Sequence, residues 1–252
     1  MEKSFIMIFD LTPQRIILYA SDSVIDVLGY TPDELIGKSG LCIIPEEELS
    51  GTNTFIAYQD VIDSLTTLIY LNLRTKDDKA IPAECVASCC YNMITSVIME
   101  AELTSPSTKG RVAAADNIVY VDKNPNCIHK VQGPELLKVH RSQLPSAPIQ
   151  LEPRVCMVLN RFTRKITIMY CSVPASFILG LNPIKCTGTP FISYVHPHDL
   201  DIVIDEFDRV KSTAHIGQVK FRFLSPEFGS VGVSTIVSGS CDGLIAILRR
   251  TG

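Results

Sequence analysis

Histidine is the residue type in this chain best suited to bind haem iron, for which imidazole is the usual axial ligand. Residues 1–104 contain no histidine, whereas residues 153–252 contain His196, His198 and His215. His196 and His198 lie in a predicted turn before a helix, where histidines also form local hydrogen bonds. They are therefore the candidate cofactor-binding residues of this part of the chain.

Three cysteines, Cys85, Cys89 and Cys90, lie on one predicted strand. Side chains alternate along a strand, so Cys85 and Cys89 share one face and Cys90 points to the other. No histidine lies near them in sequence, and a zinc site would need such ligands on one side. We interpret the three thiols as small apolar groups in a core and predict no metal site.

The chain contains none of the common catalytic motifs. We find no Gly-x-Ser-x-Gly, no phosphate-binding loop, no Gly-x-Gly-x-x-Gly and no His-Glu-x-x-His. We therefore expect a protein that is not an enzyme.

Length, charge and cysteine usage further limit the number of domains, the expected partners and the compartment of the protein. The 252 residues fit about two domains, and the net charge of −4 does not favour binding to nucleic acid or to an anionic membrane. No apolar run approaches the ~20 residues of a membrane span. Nine scattered cysteines without a Cys-x-x-Cys pair favour a reducing compartment, nuclear or cytoplasmic.

An internal repeat organises the chain. The pattern from Tyr19 to Gly37 recurs 151 residues later, from Tyr170 to Gly188, without a gap. The same offset places Leu49 on Leu200 and Tyr70 on Phe221. One type of domain is therefore used twice.

Each copy of the repeat has the signals of an α+β unit. Two apolar runs joined by a turn predict a hairpin, and Ser21, Gly29 and the Thr31-Pro-Asp-Glu34 stretch predict the caps of two short helices. A longer helix and three strands follow. The order β-β-α-α-α-β-β-β predicts a five-stranded antiparallel sheet with helices on one face.

The predicted domains are residues 1–104 and 153–252. Residues 105–152 are rich in Ser, Pro, Gly and polar side chains, which is typical of a mobile linker. Within this linker, the apolar residues of 134–144 predict one amphipathic helix that would cover a sheet, mediate dimerisation or pack on its own domain.

The two copies resemble the PAS family over roughly 200 residues. The resemblance is carried by Tyr19-x-Ser21 with Leu28-Gly-Tyr-x-Pro-x-Glu-Leu-Ile-Gly37, by His196-Pro-His-Asp199 and by Leu71-Asn-Leu-Arg74. Paired domains of this kind are similar to those of fungal white-collar regulators and of the bHLH-PAS factors of animals.

The resemblance implies a regulatory module that acts by protein–protein interaction. The expected partner is another PAS protein or a second copy of the chain, as a hetero- or homodimer. The alternative is a sensor that holds flavin, haem or a small apolar metabolite in one core. A basic DNA-reading helix and a zinc finger are missing, so no direct nucleic-acid contact is expected. A nuclear location follows only from the resemblance.

The flavin photoreceptor version of the family, LOV, needs a cysteine after Gly-Arg-Asn to form its photoadduct. Here the stretch is Gly37-Lys-Ser-Gly40, so Gly40 stands where the cysteine would be and Cys42 lies two residues further on. Asn72 matches one flavin-contacting asparagine of the family and is a candidate cofactor-binding residue. The resemblance thus implies that adduct photochemistry is lost, and no resident cofactor is predicted.

The expected contact surfaces are the sheet faces. We expect association through the strands Phe5 to Phe9, Ala83 to Tyr91 and Val231 to Ser240. Apolar residues on both faces of such a strand indicate a covered sheet, and Val86 beside Cys85 fits that pattern.

Overall fold

The two copies of the repeat form two β-sheets, each with helices on one face. The structure is a computed structural model that describes residues 2–59, 64–132, 134–144 and 152–251. The first sheet has eight strands: β1 Ser4–Phe9, β2 Ile17–Ala20, β3 Thr67–Arg74, β4 Ala80–Cys90, β5 Met93–Glu100, β6 Asn117–Val121, β7 Cys127–Gln132 and β8 Glu135–His140. The second has five: β9 Val155–Leu159, β10 Ile168–Cys171, β11 Gly217–Ser225, β12 Gly229–Gly239 and β13 Leu244–Arg250.

Seven α-helices lie between the strands in the part of the chain that the structure describes. They are α1 Val24–Leu28, α2 Pro32–Leu35, α3 Leu49–Gln59, α4 Pro106–Ala114, α5 Ala175–Leu179, α6 Pro183–Cys186 and α7 Leu200–Thr213. Short 3₁₀ turns occupy Gly40–Ile43, Glu46–Glu48, Arg141–Gln143, Phe191–Tyr194 and Pro197–Asp199. The predicted mixed α+β class is confirmed.

Equivalent strands take equivalent places in the two sheets. The strand order is β2-β1-β5-β4-β3-β6-β7-β8 in the first sheet and β10-β9-β13-β12-β11 in the second. Unit 1 here means the elements up to β8, and unit 2 means those from β9 onward. The five strands of each repeat pair antiparallel, and β6 adds to β3 in parallel. The predicted count of five strands is therefore right for unit 2 and wrong for unit 1.

The predicted linker, 105–152, contains regular structure. Its residues supply α4 and the strands β6 to β8, while residues 133 and 145–151 lie outside the described residues. The predicted helix over 134–144 is wrong, because Glu135–His140 pairs with β7 along its whole length. A helix of fewer than ~12 residues is only marginally stable on its own. Here the backbone groups of this segment form hydrogen bonds with the neighbouring strand β7 instead. Leu136 and Leu137 remain exposed.

The predicted helix caps at the glycines and at Thr31 are present, whereas the predicted cap at Ser21 is not. Gly29 and Gly180 end their helices with φ of 79° and 58°, as predicted, and the Thr31 amide donates to Glu34 Oε2 at 2.9 Å. Ser21 does not cap a helix: its Oγ accepts the Ile6 amide at 2.7 Å and so fastens β1. Ser172 does the same for Cys156 in unit 2, at 2.8 Å.

Each unit has its own core between the sheet and the helices. In unit 2, Phe191, Phe207 and Phe223 are fully buried and aromatic rings fill the centre. Phe191 stacks on Phe207 with ring centroids 5.3 Å apart. In unit 1, the corresponding core is built mainly of aliphatic residues and leaves space between α3 and the sheet.

A third apolar cluster lies between the two sheets, on the faces that carry no helices. Unit 1 contributes Ile6, Ile8, Leu68, Tyr70, Val86, Cys90, Met93, Val97 and Met99, and unit 2 contributes Cys156, Ile216, Ile236, Ile245 and Ile247. The central strands are therefore buried on both faces, which explains why they are apolar at successive positions. The two units are joined by sheet-to-sheet packing.

We expect Leu68→Ala to destabilise the protein by about 2–5 kcal/mol, because Leu68 is fully buried and its loss leaves a cavity between the sheets. Leu136→Ala is the matched control on an exposed strand and should change stability by no more than about 0.5 kcal/mol. Urea denaturation followed by circular dichroism measures both. Equal effects of the two substitutions would contradict the sheet-to-sheet interface.

Candidate functional site

The interface between the units is reciprocal. The start of the first helix of unit 1 contacts the last hairpin turn of unit 2, since Ser23 Oγ donates to Asp242 Oδ1 at 2.7 Å. The first helix of unit 2 likewise contacts the β4–β5 turn of unit 1, where Phe177 and Tyr91 meet edge to face at 6.0 Å. Such exchange of equivalent contacts is the mark of an isologous, two-fold interface. The chain thus has the internal symmetry of a dimer.

An apolar groove opens at one end of this interface. It has a volume of about 470 Å³. Its lining comes from both units and consists of Ile8, Leu18, Tyr19, Met93, Val158, Met169 and Tyr170. Leu18 and Met169 occupy the same repeat position, as do Tyr19 and Tyr170, and all four are exposed on the edge strands β2 and β10.

Arg111 joins α4 to the rest of unit 1 through buried ion pairs and to unit 2 through a hydrogen bond. Arg111 of α4 donates through Nε to Glu84, which lies on the interface side of β4 and is fully buried. Its Nη1 also donates to Glu2 at 2.8 Å and to the Ala214 carbonyl of unit 2 at 2.9 Å. Burial opposes the charge, yet the hydrogen bonds and charges of Glu84 and Glu2 raise the pKa of Arg111.

The helix-side core of unit 1 contains a cavity of about 100 Å³. It lies between α3, the turn around Gly40 and the inner face of the sheet. The lining is Phe9, Arg15, Gly40, Leu41, Ile43, Ile44, Thr52, Phe55, Ile56, Ile69, Leu71, Leu73, Cys85, Ala87, Ile94, Ser96 and Ile98. The walls are thus mostly aliphatic and aromatic, as in pockets for small organic molecules.

A hydroxyl group supplies polarity to this cavity. Thr52 of α3 is 6% exposed, and its buried Oγ1 has no hydrogen-bond partner among the described residues. An unpaired buried hydroxyl costs roughly 1–3 kcal/mol, which a bound acceptor or donor would recover. Burial and then the charge of Glu84 raise the pKa of the nearby Cys85 thiol, which therefore stays protonated and unreactive.

The cavity does not fit flavin or haem. Pockets that enclose drug-sized ligands measure roughly 300–1,000 Å³, several times the volume of this one. Gly40 also leaves no room for a photoactive cysteine, because a Cβ there would lie 2.8 Å from the Phe9 ring and 2.9 Å from the Arg15 carbonyl oxygen. Adduct chemistry is thus excluded by packing as well as by the missing thiol.

Asn72 lies on the wrong face of β3 to serve as a cofactor ligand in this cavity. Its neighbours Leu71 and Leu73 line the cavity, whereas its own amide donates to Glu48 Oε1 at 2.5 Å. Arg222 takes the same place in unit 2, since its backbone amide donates to Asp199 as the Asn72 backbone amide does to Glu48. Asn72 therefore fastens the turn before the long helix.

This equivalence corrects the predicted match of Tyr70 with Phe221. Tyr70 lies in the cluster between the sheets, whereas Phe221 lies in the helix-side core of unit 2. Residues that point to opposite faces cannot be structural equivalents, so the repeat shifts by one residue in this strand.

His196 and His198 form a local turn in unit 2. The His196 Nδ1 atom accepts the His198 amide at 3.3 Å, and the two rings meet edge to face at 5.2 Å. Asp199 binds the Arg222 side chain at 2.6 Å, and this contact holds the pKa of Asp199 below its usual value. His198 is exposed and His196 is half-buried, so neither lies in the helix-side core of unit 2, where the candidate haem would bind.

The three cysteines of β4 divide between the two faces, as the strand period predicts. Cys85 and Cys89 belong to the helix-side core of unit 1, and Cys90 belongs to the cluster between the sheets. Their separation is consistent with the interpretation as core residues.

The sequence did not predict the main features of the site. Arg111 and Glu84 are 27 residues apart, in a predicted linker and a predicted strand, and nothing in either segment signals the pairing. The sequence did not indicate the position of Thr52 either, because a threonine in a helix does not show which surface it faces. A buried glutamate in an apolar strand was the one available signal for Glu84.

Comparison with known proteins adds little. A scan against family models and a search of curated proteins find no match. Among solved structures, one similar chain is described as Drosophila melanogaster Cycle W398A PAS-B with bound glycerol, at 13% identity and a TM-score of 0.34. The alignment covers 38% of this chain and 97% of that one. Among the described residues, no helix has the length and apolar character needed to span a membrane.

We expect Arg111→Met to destabilise the protein by roughly 3–5 kcal/mol, because it leaves the Glu84 carboxylate buried without its partner. The double variant Arg111→Met/Glu84→Gln should be clearly more stable than Arg111→Met alone. Arg209→Met, which removes the exposed partner of Glu206 on the surface of α7, is the control and should cost less than about 1 kcal/mol. Thermal denaturation measures all three. A double variant no more stable than Arg111→Met alone would contradict a coupled pair.

Proposed function

We propose that this chain is a PAS-type regulatory module that acts by protein–protein association. The sequence motifs of both repeats support this, together with the order β-β-α-α-α-β-β-β, which the sequence signals predicted and both repeats have. In this proposal the chain is not an enzyme, does not contact nucleic acid directly, and functions in the nucleus or the cytoplasm. These points rest on the resemblance and on the motifs that the sequence lacks.

The sheet faces were expected to bind a partner. In the structure they pack against each other. Ile6, Val86 and Ile236, on the three predicted contact strands, lie in the cluster between the sheets. A further partner must therefore use another surface or separate the two units. This packing supports a rigid two-unit module over two independent binding domains.

The observation that carries the proposal is the edge groove. Corresponding residues of the two repeats, Leu18 with Met169 and Tyr19 with Tyr170, converge on it and remain exposed. Exposed apolar patches rimmed by polar surface mark interaction sites in soluble proteins. Because the groove repeats the same residues about the internal two-fold, a second copy of the chain fits it best.

We expect the chain to dimerise through this groove. The double variant Leu18→Glu/Met169→Glu should weaken dimerisation at least tenfold, which corresponds to about 1.4 kcal/mol. The reason is that both carboxylates would be buried against apolar surface without a partner. Size-exclusion chromatography with light scattering over a range of concentrations measures the dimer. Leu136→Glu, an exposed leucine on β8, is the control and should leave the dimer intact. A wild-type monomer at every concentration would contradict self-association.

A second candidate function is sensing of a small apolar molecule in the unit 1 cavity. The unpaired Thr52 hydroxyl favours this, since it can bind one polar group of a ligand whose remainder contacts aliphatic walls. A cavity of about 150 Å³ binds benzene in another protein, and a volume of about 100 Å³ restricts the ligand to that class of size or smaller.

We expect phenol to bind this cavity at least threefold more tightly than benzene, because only phenol can hydrogen-bond Thr52. The Thr52→Val variant keeps the shape and should abolish the difference while gaining about 1 kcal/mol in stability. Chemical shifts of the Ile69 and Ile98 methyl groups, which line the cavity, measure both affinities. Absence of binding by either molecule would contradict the sensor hypothesis and leave the association proposal standing.

A further inference from the structure

Three metal-ligating side chains meet at the β6–β7 hairpin, outside the sites described above. The Asp122 carboxylate, the Cys127 thiol and the His129 imidazole each place one ligand atom within 4.8 Å of the other two. Cys127 Sγ lies 3.4 Å from Asp122 Oδ2, and His129 Nε2 lies 2.7 Å from the same oxygen. The three residues offer one sulfur, one nitrogen and one oxygen.

The sheet register brings these residues together. Cys127 and His129 are two apart on β7, so their side chains project from the same face. Tyr120 of β6 pairs with His129, and Asp122, two residues beyond, therefore comes level with Cys127. The pairing of β6 with β7 sets the level of all three residues, although Asp122 itself lies one residue beyond β6, at the start of the loop.

We propose that Asp122, Cys127 and His129 form a zinc site with water as the fourth ligand. Thiolate, imidazole and carboxylate are the ligands that Zn²⁺ takes in proteins, and three protein ligands with water is a common set. Tetrahedral coordination with bonds of 2.0–2.3 Å separates ligand atoms by about 3.3–3.6 Å. The sulfur–oxygen distance already fits, and the nitrogen–oxygen distance must open by roughly 0.6 Å.

Binding has a definite proton balance. Cys127 gives its thiol proton to solvent and forms the Zn–S bond, while a proton on His129 Nε2 is exchanged for one on Nδ1 so that Nε2 can bind. Asp122 exchanges its hydrogen bond to His129 for a Zn–O bond. Cys127 is fully buried, so an entering ion would approach from the side of His129 and Asp122, whose side chains are 31% and 24% exposed.

Lys138 is the cation that opposes this site. It is exposed, it pairs with His129 across β7 and β8, and it approaches the Cys127 sulfur. An ammonium group there competes with the metal by charge repulsion and must turn toward solvent when the ion binds. Its removal should therefore tighten zinc binding, which gives the test a variant of opposite sign.

The site would brace the helix that lines the unit 1 cavity. Thr54 of α3 donates through Oγ1 to the Pro125 carbonyl at 2.5 Å, within the loop between Asp122 and Cys127. Gly51 of α3 approaches so closely that a Cβ there would overlap the Asp122 carbonyl. A metal that fixes this loop would therefore fix α3, whose Thr52 faces the cavity.

The experiment is titration of the full chain with Zn²⁺ by isothermal calorimetry in two buffers of different ionisation enthalpy. We expect one equivalent to bind with release of roughly one proton. Cys127→Ser and His129→Ala should each weaken binding roughly 100-fold or more, since even loss of an outer partner costs 10–100-fold. Lys138→Ala should tighten binding roughly two- to fivefold.

Cys42→Ser and His198→Ala are the controls, because they remove a thiol and an imidazole elsewhere and should leave binding unchanged. Substitution with Co²⁺ should give a thiolate charge-transfer band in the wild type and not in Cys127→Ser. Absence of stoichiometric binding, or unchanged affinity in Cys127→Ser, would overturn the proposal. A Cys127→Ser variant that unfolds in the absence of metal is replaced by His129→Ala for the same comparison.

Discussion

The rest of the structure depends on the burial of the two helix-free sheet faces against each other. Each sheet is apolar on both sides, so a separated unit would expose the side chains of Leu68, Val86 and Val97, or of Ile236 and Ile247, to water. Packing them together gives the chain a third core and explains why two units of modest size form one body. It also fixes the internal two-fold from which the edge groove arises.

This constraint changes how a regulatory function would operate. The surfaces expected to recruit a partner are occupied within the chain, and Arg111 joins the two units through its ion pair with Glu84 and its hydrogen bond to the Ala214 carbonyl. A partner would bind to surfaces that the packing does not cover. A ligand would bind in unit 1, whose core is not filled by aromatic rings. The two proposed functions therefore involve different parts of the molecule and can be tested separately.

Much of the local structure was predictable because it depends on near neighbours. The glycines at 29 and 180 end helices through backbone geometry alone, and the alternation along β4 assigns Cys85 and Cys90 to opposite faces. The failures share a cause. Ser21 carries the signature of a cap but meets Ile6, and residues 135–140 have a helical apolar pattern but meet β7. In each case a hydrogen-bond partner distant in sequence decided the outcome.

The sequence by itself determined the α+β class, the repeat and the order of strands and helices within each copy, because periodicity, caps and turns act over a few residues. Only the tertiary structure decided which face Asn72 presents, that the linker extends the first sheet, and that Glu84 meets Arg111. It alone brought Asp122 level with Cys127 and His129. These results depend on strand register and on sheet-to-sheet packing, in which a shift of one residue exchanges the two faces of a strand.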